Sequence, residues 1–233
     1  MDNDSEDEVF SEDEYGFQML NHDGGRGVEP IPGSYIYSND LHYGSASGSE
    51  EEQGPEGSEF NPTPKDVALV RSVFPLPPEL VTEILDLAGY WAYSRVICSN
   101  EGRFHHANVR YVQSDPIQSG DFARPLRRLV VTTESKDQGW SSFPENRGTR
   151  DNSWTWFELS LDDGETDDEI VRVEIVRNIH AGSTFEKYQA IIEDERVLTQ
   201  AKKGDRLSVW ARAMYPGWCN EVRSATIEAW AAC

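Results

Sequence analysis

Residues 169–179, EIVRVEIVRNI, decide the fold of this chain. Val171, Val173 and Ile175 fall on one side of an extended backbone and Arg172 and Glu174 on the other, the period of two expected of a half-buried β-strand. Outward from this stretch the alternation recurs in RRLVVTTE (127–134), YQAIIED (188–194), DRLSVWARAMY (205–215) and EVRSATIEAW (221–230), and FHHANVRYV (104–112) starts with one more strand. Gly, Asn and Asp turns separate the strands without any helical period, and Lys203, Gly204 and Asp205 read as a hairpin turn. The expectation is an antiparallel β-sandwich, jelly-roll-like, over residues 101–233.

Charge shows how much of the chain precedes that domain. Residues 1–62 carry 16 Asp and Glu against one Arg, so a net of -15 out of -21 belongs to this stretch. It is rich in Gly, Ser and Pro and lacks an apolar period, so it is expected to be a disordered acidic tail. Ser5, Ser11 and Ser49 each precede three acidic residues, a pattern favoured by acidophilic kinases. Phe10, Tyr15, Phe17, Met19 and Leu20 among the carboxylates fit either an interaction segment or a plain solubilising tail. The charge disfavours nucleic acid as a partner. Three cysteines, Cys98, Cys219 and Cys233, without a CxxC pair point to neither a disulfide framework nor a zinc site. With no apolar leader and no run of 18 apolar residues, the expected location is cytoplasmic or nuclear, without membrane contact.

Residues 63–100 read as a helical connector. In PLPPELVTEILDLAGYW, Pro78 suits a first helical position, Leu80, Ile84 and Leu87 form a stripe, and Gly89 can end the helix. LPPELVTEIL resembles the opening of an F-box, and RVICS (95–99) is similar to the second stretch of that motif. The resemblance implies docking on a Skp1-type adaptor of cullin ubiquitin ligases through Leu80, Ile84 and Leu87; the alternative is a helix that simply packs on the β domain. The spacing between Ile84 and Cys98 is shorter than in an F-box, and the basic-aromatic ending is missing.

All seven tryptophans lie after residue 90. Trp154 and Trp156, two apart in SWTWFELSL (153–161), share one side of a strand and, with Trp210, read as core or sheet-face residues. Trp140 and Trp218 stand in loops beside Gly, Pro and charged residues, as ligand contacts would. Asp137, Gln138, Trp140, Arg147, Arg150, Asn152, His180 and Trp218 form the candidate ligand set, because sugar or peptide recognition needs an aromatic face and oriented polar groups. The blocks RRLVVTTESKDQGWSS, SWTWFELSL, VEIVRNIHAG and RLSVWARAMYPGW resemble a family of fungal proteins that carry them in this order behind an LPPEL segment, a resemblance that implies no reaction. The order is also similar to galactose-binding-like and F-box-associated sandwiches, which implies sugar or protein binding through loops at one end.

The function expected is therefore a non-catalytic protein-interaction or substrate-recognition protein, with an intracellular carbohydrate-binding module as the alternative. A small enzyme using Asp137 and His180 is a further alternative, although no GxSxG, HExxH, P-loop or dinucleotide fingerprint supports it and no cofactor is implied. LDDGETDDE (161–169) lacks the ligand spacing of a calcium loop and reads as a solvated hairpin. Adjacent His105 and His106 point to opposite sides of a strand, so no metal site is expected.

Overall fold

The computed structural model describes residues 34–37, 61–119 and 124–232. The candidate kinase sites and the tail aromatics lie outside them. Four residues of the stretch expected to be a disordered tail form a strand, β1 (Ser34–Tyr37). Two helices follow: α1 (Pro64–Val73), closed by a reciprocal capping box between Thr63 and Asp66, and α2 (Pro78–Leu87), with proline in its first turn. Then come β2 (Ala92–Cys98), β3 (Gly102–His105), β4 (Asn108–Gln113), β5 (Leu126–Lys136), β6 (Thr155–Asp162), β7 (Glu169–Arg177) and β8 (Glu186–Ile192). A short α3 (Glu195–Gln200), β9 (Arg206–Ala213) and β10 (Cys219–Ala231) complete the chain.

All strand pairs are antiparallel. One sheet runs β1-β8-β5-β10-β2, with β3 also pairing with β10, and the other runs β4-β9-β6-β7. The alternation that predicted β7 holds: Val173 and Ile175 are buried, while Arg172 and Glu174 lie on the opposite face. Leu129 and Val131 of β5, Ile227 of β10, Phe157, Leu159 and Leu161 of β6, and Leu207 and Val209 of β9 fill the space between the sheets. Full burial of one such side chain stabilises by roughly 1.5–3 kcal/mol, so the interleaved inner faces hold the sandwich together.

Three boundaries differ from the sequence expectation. FHHANVRYV makes two strands, because His106 turns the chain at φ 45° between β3 and β4. Lys203–Asp205 is not a strand hairpin: α3 intervenes after β8, and β8 and β9 belong to different sheets. RVICS belongs to β2, which pairs with β10 from Ala92↔Ala231 to Cys98↔Ala225, so the stretch assigned to a connector supplies a sandwich strand. The helices pack there, with Val67, Val81, Leu85 and Ala92 in a second small core. Asp86 of α2 accepts hydrogen bonds from Arg127 Nε at 2.8 Å and Nη2 at 2.9 Å, clamping the hairpin to β5.

The outer face of the four-stranded sheet is covered by its own side chains. The guanidinium groups of Arg172 and Arg110 stand 4.0 and 5.1 Å from the Trp210 ring centroid, and those of Arg177 and Arg212 stand 5.2 and 5.3 Å from that of Trp156. Glu158 joins the two stacks, lying 3.4 Å from Arg172 and 3.3 Å from Arg212 and accepting from Trp156 Nε1 at 2.8 Å. Ser160 and Ser208 are buried beneath this layer. Trp156 and Trp210 are thus sheet-face residues, within the range expected from sequence.

Candidate ligand site at one end of the sandwich

Three connections meet at the same end: residues 137–154 between β5 and β6, 178–185 between β7 and β8, and 214–218 between β9 and β10. A wholly buried polar cluster ties them to the sheets. Asn178 accepts from Ser135 Oγ at 2.7 Å and donates through Nδ2 to Thr155 Oγ1 and Asn220 Oδ1, both at 3.0 Å. Asn220 donates in turn to the carbonyls of Trp156 at 3.1 Å and Arg212 at 3.2 Å, so one amide chain links both sheets. Such a network rigidifies when its members are satisfied.

Asp137 accepts from the backbone N–H of Gln138 at 2.8 Å and of Ala181 at 2.9 Å. Burial pushes its carboxyl above the ordinary 3.8, against the opposing pull of those two N–H groups and of His180. His180 is equally buried; its Nδ1 donates to the carbonyl of Asn152 at 3.1 Å, its backbone N–H donates to Thr149 O at 2.6 Å, and its carbonyl accepts from Gly148 N at 3.1 Å. Both oxygens of Asp137 are engaged with loop backbone, and neither side chain reaches solvent. In this arrangement both side chains are buried, and through these bonds they hold the loops in place.

The structure divides the remaining candidates in the same way. Gln138 accepts from Cys219 N at 3.1 Å and donates to Trp140 O at 2.8 Å, bridging two loops. Arg150 lies over Tyr188 at 4.4 Å and donates to the carbonyl of Arg177. Outside this scaffold stand Trp140, 58% exposed, the exposed Arg147 and Asn152, and the half-buried Trp218. Trp140 leans on Gly217, where an added Cβ would come within 3.8 Å of the indole.

Two further aromatics belong to this surface and were not singled out from sequence. Tyr215 is 48% exposed and meets Trp154 edge to face, ring centroids 4.9 Å apart, and Phe143 is also exposed. Trp154 is therefore a half-buried loop-end residue rather than core. The turn Tyr215-Pro-Gly-Trp218 carries φ 69° at Tyr215 and φ 90° at Gly217. Among the described residues, three of the five non-glycine residues with positive φ, Asn152, Ala181 and Tyr215, lie in these three connections. Backbone in that region costs on the order of 1–3 kcal/mol per residue and persists where the surroundings enforce it, often at binding sites.

The cleft beside Lys136 and Asp137 measures about 90 Å³. A buried small-molecule pocket takes roughly 300–1,000 Å³, so this cleft is too small to enclose such a ligand. Among the described residues no group of His, Cys, Asp or Glu is placed to hold a metal ion, and no helix is long and apolar enough to cross a membrane.

Neither a protein-family model nor a curated protein matches the chain. Among solved structures, the CBM36-1 domain of a multidomain xylanase from the hindgut metagenome of Trinervitermes trinervoides is similar to part of it, at 11% identity and a TM-score of 0.25, covering 58% of this chain and 96% of that one. At that level the likeness adds nothing to the two-sheet sandwich already described.

Proposed function

We propose that this β-sandwich is a non-catalytic recognition module whose loop end holds a ligand by stacking, and that the ligand is a glycan. The observation that carries this reading is the convergence of Trp140, Tyr215, Trp154 and Trp218 on one strained turn, above a buried polar scaffold. Flat aromatic faces suit the C–H face of a pyranose, while Arg147 and Asn152 at the margin supply donors for hydroxyl groups. The scaffold fixes the loops in advance, which lowers the ordering cost of binding. Incubating the full-length protein with a glycan array tests the proposal. Retention of a defined glycan by the wild type and its loss in Trp140→Ala supports it; no retention of any glycan overturns it.

A second surface has its own support. Leu80, Ile84 and Leu87 of α2 are exposed while Val81 and Leu85 anchor the helix, so the stripe expected to dock a partner faces solvent. We infer that this face binds protein. The F-box resemblance names a Skp1-type adaptor as one occupant, testable by co-purification with the wild type and with Leu80→Asp.

A further inference from the structure

We propose that the α1–α2 hairpin is a twofold interface between two copies of this chain; this rests on the inference that the hairpin face binds protein, and names the occupant. Among the described residues, seven of the thirteen exposed large apolar side chains lie within residues 69–87. Leu69 and Val73 on α1, Leu76 in the connection, and Leu80, Ile84 and Leu87 on α2 are 42–83% exposed. Monomers seldom leave contiguous apolar patches much beyond a few hundred Å² open to water.

The charges beside the apolar stripe decide between occupants. On α1, Lys65, one turn before the exposed Leu69, makes no ion pair among the described residues, Arg71 follows the buried Val67 by one turn and lies on the packed side, and Asp66 is taken up by its own cap at Thr63. On α2, Glu79 and Glu83 are likewise unpaired among the described residues, the helix has no basic residue, and Asp86 is held by Arg127. One helix therefore offers a spare cation and the other spare anions. A twofold axis that lays α1 of one copy along α2 of the other satisfies both sets twice over, because an isologous interface makes every contact in duplicate. It covers the apolar residues in the same step. An unrelated partner would have to bring an apolar stripe flanked by acids on one side and bases on the other, a pattern this hairpin already contains.

Sedimentation velocity on the full-length protein over a range of concentrations, at low ionic strength, tests this. The wild type is expected to dimerise reversibly, Leu80→Asp to weaken association at least tenfold, and Lys65→Glu to weaken it several-fold. Combining Lys65→Glu with Glu79→Lys and Glu83→Lys in one chain reverses both signs together and is expected to restore the wild-type dissociation constant, an outcome no misfolded variant would give. A chain that is monomeric throughout, a dimer indifferent to Leu80→Asp, or a triple variant no tighter than Lys65→Glu alone overturns the proposal. A monomer that instead captures a Skp1-type adaptor through Leu80 overturns it while leaving the docking reading intact. A monomer that captures neither removes both.

Discussion

The rings of His180 and Trp218 meet at 79°, their centroids 5.1 Å apart, so the buried polar scaffold touches the proposed recognition surface directly. His180 also holds Asn152, Thr149 and Gly148 through one side-chain and two backbone hydrogen bonds. His180→Ala opens a cavity and leaves the Asn152 carbonyl unpaired, and is expected to cost about 2–4 kcal/mol in urea unfolding. Ligand affinity is expected to fall with it, since the loop bearing Trp218 loses its support.

Trp140→Ala should separate binding from stability. The indole is mostly in solvent and rests on a glycine, so its removal is expected to change stability by no more than about 0.5 kcal/mol. Affinity for a stacked ligand is expected to drop tenfold or more, by titration calorimetry, with the melting temperature unchanged.

Acid should loosen the helical hairpin through Asp86. The Arg127 guanidinium holds this carboxyl below the ordinary 3.8, with a smaller contribution from Trp91 and against a partial opposition from burial. A depressed carboxylate stabilises the folded state above its unfolded value, and that stability is lost as pH falls through the lower folded value. Asp86→Asn is expected to cost about 1 kcal/mol at pH 7, the partial exposure of the pair keeping the figure small. The wild-type and variant stability curves should converge below pH 3.8.

Two glycine substitutions should destabilise for different reasons. A Cβ on Gly164 would sit 2.0 Å from the carbonyl oxygen of Gly204, backbone against backbone, so Gly164→Ala must push the β6–β7 connection away from the turn before β9. The expected cost is about 1–3 kcal/mol. At Gly148, with φ 80° and nothing within 4 Å, alanine meets only the left-handed penalty of about 1–2 kcal/mol. Chemical denaturation of both variants ranks them.

Glu158→Ala should unsettle the outer face of the four-stranded sheet. Arg172 and Arg212 would lose their shared acceptor while remaining largely buried, and breaking such a pairing from one side costs about 3–5 kcal/mol in fully buried cases. The residual exposure of these groups places the expectation nearer 2 kcal/mol, read from the denaturant midpoint.

The strands were legible because alternation reports which face is buried, and β5, β7, β8, β9 and β10 fall within a few residues of the runs that announced them. β2 was hidden because Ala92–Cys98 carries exposed Arg95 and Ile97 on an edge, and the pattern of RVICS suits a helix equally well. At the site, Trp140 and Trp218 could be placed in loops from their neighbours. The inward turn of Asp137 and His180 could not, since it depends on Ala181 and Asn152 arriving from connections 44 and 28 residues away. Asn178 and Asn220 carried no local signal at all: each is an ordinary residue at a strand end until the sheets bring the two amides to 3.0 Å.

Four guanidinium groups fix the surroundings of Trp156 and Trp210, whereas Trp140 stands mostly in water. The chain thus contains emitters in fixed surroundings on the sheet face and others, Trp140 among them, at the loop end. Its intrinsic fluorescence carries an internal reference, and a blue shift on mixing with a sugar would report the loop end without any label.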